Sequence, residues 1–116
     1  MKPTLVKKGE TWIKRKKDKV VWEYNKGQFD KVDIAKTKVI GRYPEAGWAA
    51  NKVSTMLYYL LSGSAILTLE AGEKFRMKSD NVFILPPNTW YSIDGKFEAL
   101  MVCSPVWTSD QSIKKD

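Results

Sequence analysis

A chain of 116 residues, 43% hydrophobic and 12% aromatic, has enough apolar surface for one core and too little for two, so a single domain is expected. The formal charge of +7 lies wholly in residues 1 to 50, which hold 13 Lys/Arg against 6 Asp/Glu, whereas residues 51 to 116 hold 7 of each. Histidine is absent and the single Cys103 excludes an internal disulfide; the start MKPTLVKK lacks a leader's apolar stretch and no run approaches the roughly 18 to 20 apolar residues of a membrane span, so a cytoplasmic location without membrane contact is expected.

Residues 1–39 read as basic N-terminal strands and a hairpin belonging to the same domain. Their densest charge is Lys14, Arg15, Lys16, Lys17 and Lys19, broken by Asp18 and flanked by Trp12-Ile13 and Val20-Val21. Such a run can contact nucleic-acid phosphates. With no reader helix or zinc site beside it, it reads rather as a solvated hairpin tip, or an edge that lysines keep from aggregating.

Further along, short stretches rich in Val, Ile, Tyr, Trp and Phe alternate with turn signals. These are Asn25-Lys26-Gly27, Pro44-Glu45-Ala46-Gly47, Ser62-Gly63-Ser64, Ala71-Gly72, Pro86-Pro87-Asn88 and Asp94-Gly95. In Lys74 to Lys78, Phe75 and Met77 share one face and three cations the other, the pattern of a half-buried strand. Asp94-Gly95 is the dipeptide a two-residue type I′ turn prefers, which predicts a tight hairpin there. Helical periodicity is weak throughout. The class is all-β, a sandwich or small barrel, with its core in residues 40–107 and a polar tail in residues 108–116.

The stretch Tyr58-Tyr59-Leu60-Leu61-Ser62-Gly63, a strand into a tight turn, and the stretch Val82 to Pro87, a strand into a double-proline turn, resemble the two signature stretches of the cupin superfamily. The resemblance spans residues 40 to 105. It implies a double-stranded β-helix, or jelly-roll barrel, and in most relatives a histidine-ligated metal. Counting from Gly63 and Pro86, the glutamate ligand position holds Met56 and the third histidine position Tyr91. The first two histidine positions fall on Ala49 and Asn51, or on Ala50 and Lys52, and Asn88 takes the glycine position of the turn. Alanine, methionine and neutral tyrosine cannot supply a metal's donor set, so no metal and no cofactor are expected.

By the same resemblance Asn51, Met56, Tyr58 and Tyr91 face the barrel interior, with Trp90 at its rim. They either line a small-molecule site or simply fill the barrel, with Met56 as a gap-filler and the tyrosine hydroxyls paired. In GRYPEAGWAAN, Arg42 offers a bidentate fork for a carboxylate or phosphate, Glu45 an acid or base, and Trp48 a stacking face. Arg42 and Glu45 pairing in solvent is the plainer reading of that loop. Trp107 reads as packing.

Three functions stay open. One is a metal-independent cupin that binds a small polar or anionic ligand at the barrel mouth through Arg42, Glu45, Asn51, Tyr58, Trp90 and Tyr91, the basic run offering charge without a pocket. A second is a metal-free isomerase, epimerase or lyase on a small carbohydrate-like substrate, with Tyr91 or Glu45 handling protons. A third is an interaction module that meets nucleic acid or an acidic protein through the basic half. Trp12, Ile13, Val20, Val21 and Trp22 supply more apolar surface than one small barrel covers, which predicts a homodimer.

Overall fold

The structure is a computed structural model that describes residues 2–25, 27 and 29–116. Nine strands form one antiparallel sheet that curls on itself: β1 (Trp12–Lys16), β2 (Lys19–Glu23), β3 (Asp33–Tyr43), β4 (Trp48–Asn51), β5 (Thr55–Leu69), β6 (Lys74–Lys78), β7 (Val82–Leu85), β8 (Tyr91–Ser104) and β9 (Ser112–Lys115). The sheet runs β1-β2-β3-β8-β4-β9, while β5 lies along the other edge of β8 and carries β6 and β7. Two short 3-10 turns, Lys8–Glu10 and Ser109–Gln111, complete the described residues. Among the described residues no helix is long and apolar enough to cross a membrane.

The all-β expectation holds, and the half-buried strand at 74–78 is β6, with Met77 buried and its cations exposed. The basic run does form a hairpin tip: β1 pairs with β2 from Trp12↔Glu23 to Lys16↔Lys19, leaving Lys17 and Asp18 as the turn. The Asn25-Lys26-Gly27 turn falls partly on Lys26, outside the described residues.

Two expected turns are absent. Asp94-Gly95 lies inside β8, where Gly95 pairs with Gly41 on one side and Ala65 on the other. Ser62-Gly63-Ser64 lies inside β5, opposite Glu98, Phe97 and Lys96. These glycines serve close backbone approach: a Cβ on Gly95 would stand 2.2 Å from the Ser64 carbonyl oxygen, and one on Gly63, at φ +83, 2.1 Å from that of Lys96.

Just before Gly63 the β5–β8 ladder slips. Leu60 faces Ala99 and Ser62 faces Glu98, so Leu61 is an extra residue, a β-bulge. Up to that point Met56, Tyr58 and Leu60 are buried; beyond it Ala65 and Leu67 are. The bulge thus changes which parity faces inward and keeps both halves of the strand on the core. Ile93, Phe97 and Ala99 of β8 and Leu85 of β7 close that core.

The polar tail folds back as part of the sheet, β9 pairing with β4 from Trp48↔Lys115 to Asn51↔Ser112. A buried clasp holds it. Gln111 Oε1 accepts from the backbone N–H of Ser54 (2.8 Å) and Val53 (3.2 Å), Gln111 Nε2 donates to Ser54 Oγ (2.9 Å), and that hydroxyl donates to the Pro105 carbonyl (2.7 Å).

Candidate functional site

The curled sheet encloses an open cavity of about 1320 Å³, walled by the β1–β2 hairpin, β3, β4, β5, β8, residues 106–109 and β9. At its base stand Tyr58 and Tyr91, both buried, their hydroxyls 3.3 Å apart and their rings edge to face at 6.1 Å. Tyr43 leans on Tyr91 at 6.4 Å between centroids. Burial raises the pKa of all three phenols, most for Tyr58 and Tyr91, so at neutral pH they are hydroxyls that donate and accept hydrogen bonds. Cys103, also on the wall, is pushed up to about 12 by burial and then by Asp33, which leaves it a protonated thiol rather than a nucleophile.

Asn51 lines the same cavity. Its Oδ1 accepts a hydrogen bond from Trp107 Nε1 at 3.1 Å, and among the described residues its Nδ2 has no partner. Trp107 is positioned in turn by its backbone N–H, which donates to Asp33 Oδ2 at 2.7 Å, and Lys14 Nζ sits 4.8 Å from its ring centroid. Trp107 therefore builds a cavity wall and fixes the Asn51 amide, a role beyond the packing expected of it.

The lysines are the larger surprise. Strand alternation divides the basic run, so that Lys14 and Lys16 of β1 and Lys19 of β2 line the cavity while Arg15 does not. Lys114 joins them from β9. Lys19 Nζ lies 3.8 Å from the Tyr43 ring centroid and Lys114 Nζ 5.5 Å from it on the same ring. Lys14 is paired with Glu23 at 3.3 Å, but among the described residues Lys16, Lys19 and Lys114 have no carboxylate within ion-pair distance. The basic run thus does have a pocket.

Of the residues expected at the mouth, the structure brings together Asn51, Tyr58 and Tyr91. Arg42, Glu45 and Trp90 lie elsewhere. The Arg42 fork holds its own turn, Nη1 donating to the Pro44 carbonyl (2.7 Å) and Nη2 to that of Gly47 (2.8 Å), with the guanidinium over Trp48 at 5.8 Å. Glu45 is exposed beside a second, smaller recess, and Trp90 carries Lys115 Nζ over its ring at 4.3 Å. Sequence reasoning missed Lys14, Lys16, Lys19, Trp107 and Lys114; the alternation of the run could have found the first three.

The cupin ligand positions bear on metal. Met56 offers a thioether, Tyr91 a phenol kept protonated, and Asn51 a carbonyl oxygen already engaged by Trp107. That donor set does not fit a divalent metal. Among the described residues no three His, Cys, Asp or Glu side chains converge.

No family model matches the chain and no curated protein matches it in sequence. Solved structures do match it in fold. The nucleoside dehydratase Pac13 superposes with a TM-score of 0.84 at 19% identity, over 98% of this chain and 92% of that one. A Streptomyces Pac13 variant with uridine, in which one tyrosine is phenylalanine, gives 0.85 at 19% identity over 99% and 92%. Bacillus subtilis oxalate decarboxylase gives 0.77 at 16% identity, over 97% of this chain and 33% of that longer one.

Proposed function

We propose that this chain, a single β-barrel of the cupin fold, takes up a small anionic molecule with a polar ring in its cavity, without help from a metal ion. The observation that carries the reading is the placing of Lys16, Lys19 and Lys114, which have no carboxylate partner among the described residues, around a cavity also lined by the Tyr58 and Tyr91 hydroxyls and the Asn51 amide. Ammonium groups held near one another without a counter-ion favour a ligand that brings negative charge. Flat aromatic walls and a few fixed polar groups suit a ring with hydrogen-bonding edges. A nucleoside carrying a phosphate or carboxylate meets both demands.

The structural neighbours support that class. Two Pac13 variants with uridine replace tyrosines that lie 34 positions apart, and Tyr58 and Tyr91 are 33 apart here. The isomerase, epimerase or lyase alternative needs a group that exchanges protons near neutral pH. Tyr91 is held protonated and Glu45 stands outside the cavity, so neither residue named for that role fills it, and binding is the better supported reading. The interaction-module alternative would use the outward cations Arg15 and Lys17.

Titration by NMR with uridine and uridine 5′-monophosphate tests the proposal. The monophosphate should shift cavity resonances and bind more tightly than uridine, with affinity falling as salt rises. Tyr91→Phe should weaken it by about 1–3 kcal/mol, the usual cost of stranding a buried polar partner. Silence of the cavity to both ligands, or a dominant effect of neutralising Arg15 and Lys17, would refute it.

A further inference from the structure

One amine on the cavity wall stands apart in its surroundings. Lys19 opens β2 with its side chain on the inward face, cross-strand from Lys16, and its Nζ rests 3.8 Å from the Tyr43 ring centroid. We propose that Lys19 is a nucleophilic amine that condenses with the carbonyl group of an anionic aldehyde or ketone held in the cavity, an inference that rests on reading the cavity as a small-molecule site.

Every element around Lys19 contributes to its state. Lys14 and Lys16 face it from β1, Lys114 from β9 and the neutral Tyr43 from β3, and it also borders the smaller recess that Asp18, Arg42 and Glu45 line. No carboxylate among the described residues approaches within ion-pair distance of it. Burial, followed by the charges of Lys16, Lys114 and Lys14, lowers its pKa from 10.5 to about 8. Roughly one such amine in ten is neutral at pH 7, some three-hundredfold more than for an ordinary lysine. A lysine desolvated beside other cations is a recognised way to obtain an amine nucleophile.

The step balances without a redox partner. The neutral nitrogen donates its lone pair to the carbonyl carbon, the C–O π pair moves to oxygen, and the nitrogen's proton passes to that oxygen. The carbinolamine then loses water, so that one C=N bond replaces one C=O bond. Lys16 and Lys114, which line the same cavity with no carboxylate among the described residues within ion-pair distance, would hold the anionic end of the ligand.

The test uses the full chain and two aldehydes, pyridoxal 5′-phosphate and pyridoxal, which lacks the phosphate. Cyanoborohydride supplies the hydride that fixes any imine as a secondary amine, and peptide mass mapping locates it. With the phosphate ester, Lys19 should be labelled first, about tenfold or more ahead of the exposed lysines, in keeping with its larger neutral fraction. Its rate should rise with pH to a midpoint near 8, pyridoxal should label it more slowly, and Lys19→Arg should remove the fast label. If that variant does not fold, the wild-type map and its pH profile decide alone. Labelling spread over exposed lysines, or reaching Lys16 or Lys114 first, overturns the proposal. Should uridine 5′-monophosphate shift the cavity resonances while Lys19 stays unlabelled, the imine falls and the binding reading stands; should neither occur, both fall.

Discussion

Replacing Lys19 with methionine keeps the stem over Tyr43 and removes the charge, and it should make the protein more stable at neutral pH. In the folded state the pKa of Lys19 is about 8, against 10.5 for an ordinary lysine, so folding disfavours its charged form. At 1.36 kcal/mol per pH unit, that gap corresponds to roughly 3 kcal/mol. Lys19 as a whole residue is only half-buried and its long stem can swing the amine toward water, which brings the expected gain to about 1–2 kcal/mol. The sign is specific. Below pH 8 both folded and unfolded wild type carry the proton and the full penalty applies. From about 8 to 10.5 the unfolded chain binds the proton more than the folded one does, so wild-type stability rises toward that of the variant; above 10.5 the two should coincide. Cys103, Tyr58 and Tyr91, whose pKa values are raised, lower stability as pH climbs through 9 and 10, but they do so equally in both proteins and cancel in the difference. Urea denaturation followed by circular dichroism at pH 6.5, 8, 9 and 10 measures this. A difference that stays constant across the series, or a variant less stable than wild type at pH 7, would refute the reasoning.

Gly63→Ala should lose about 3 kcal/mol, from a left-handed backbone position and a Cβ driven against the Lys96 carbonyl, and a melt lowered by less than about 4 °C would contradict it. Purified protein should carry no stoichiometric transition metal, and chelator should leave its melting temperature unchanged; about one metal ion per chain by elemental analysis would count against the donor-set argument. The chain, 13.3 kDa as a monomer, is expected to dimerise through the β1–β2 hairpin, where Trp12 is 62% and Ile13 46% exposed. Light scattering at micromolar concentration checks this, and a monomeric mass would leave those residues needing another role.

What the sequence made legible follows the range of the interactions involved. The inward facing of Met56 and Tyr58 comes from the likeness to the cupin stretches, since residues 56 to 61 are apolar or aromatic throughout and carry no alternation of their own; the alternating burial belongs to the fold. Asp94-Gly95 and Ser62-Gly63-Ser64 misled because a turn glycine and a close-approach glycine look alike in one dimension; the neighbour that demands the missing Cβ lies about thirty residues away in the chain. In sequence Arg42 reads as an open fork or, more plainly, as a solvent pair with Glu45, whereas its partners are carbonyls two and five residues on, whose direction only the folded turn sets. The basic run reads in sequence as one surface feature, although period two in a strand sends Lys14 and Lys16 to one side and Arg15 to the other, and a two-residue turn returns Lys19 to the first. Trp107 and Lys114 carried no local signal, since the Gln111 clasp and the β4–β9 ladder bring them to the cavity.

Leu61 acts as a phase shifter along β5. It is 38% exposed and belongs to neither parity, so replacing it with another residue should cost little. Removing it should also cost little, for the same reason. Without this surplus residue Ser62 would follow Leu60 directly and still face Glu98, so the ladder would run on without a slip, Ala65 and Leu67 would stay inward and Gly63 would keep its place against the Lys96 carbonyl. Tolerance of substitution and tolerance of deletion therefore go together at this residue: its chemical identity is nearly free, and the two halves of the strand are in step without it. Among related chains, a gap aligned at this position alone would mark a straight β5 and needs no matching change in β8.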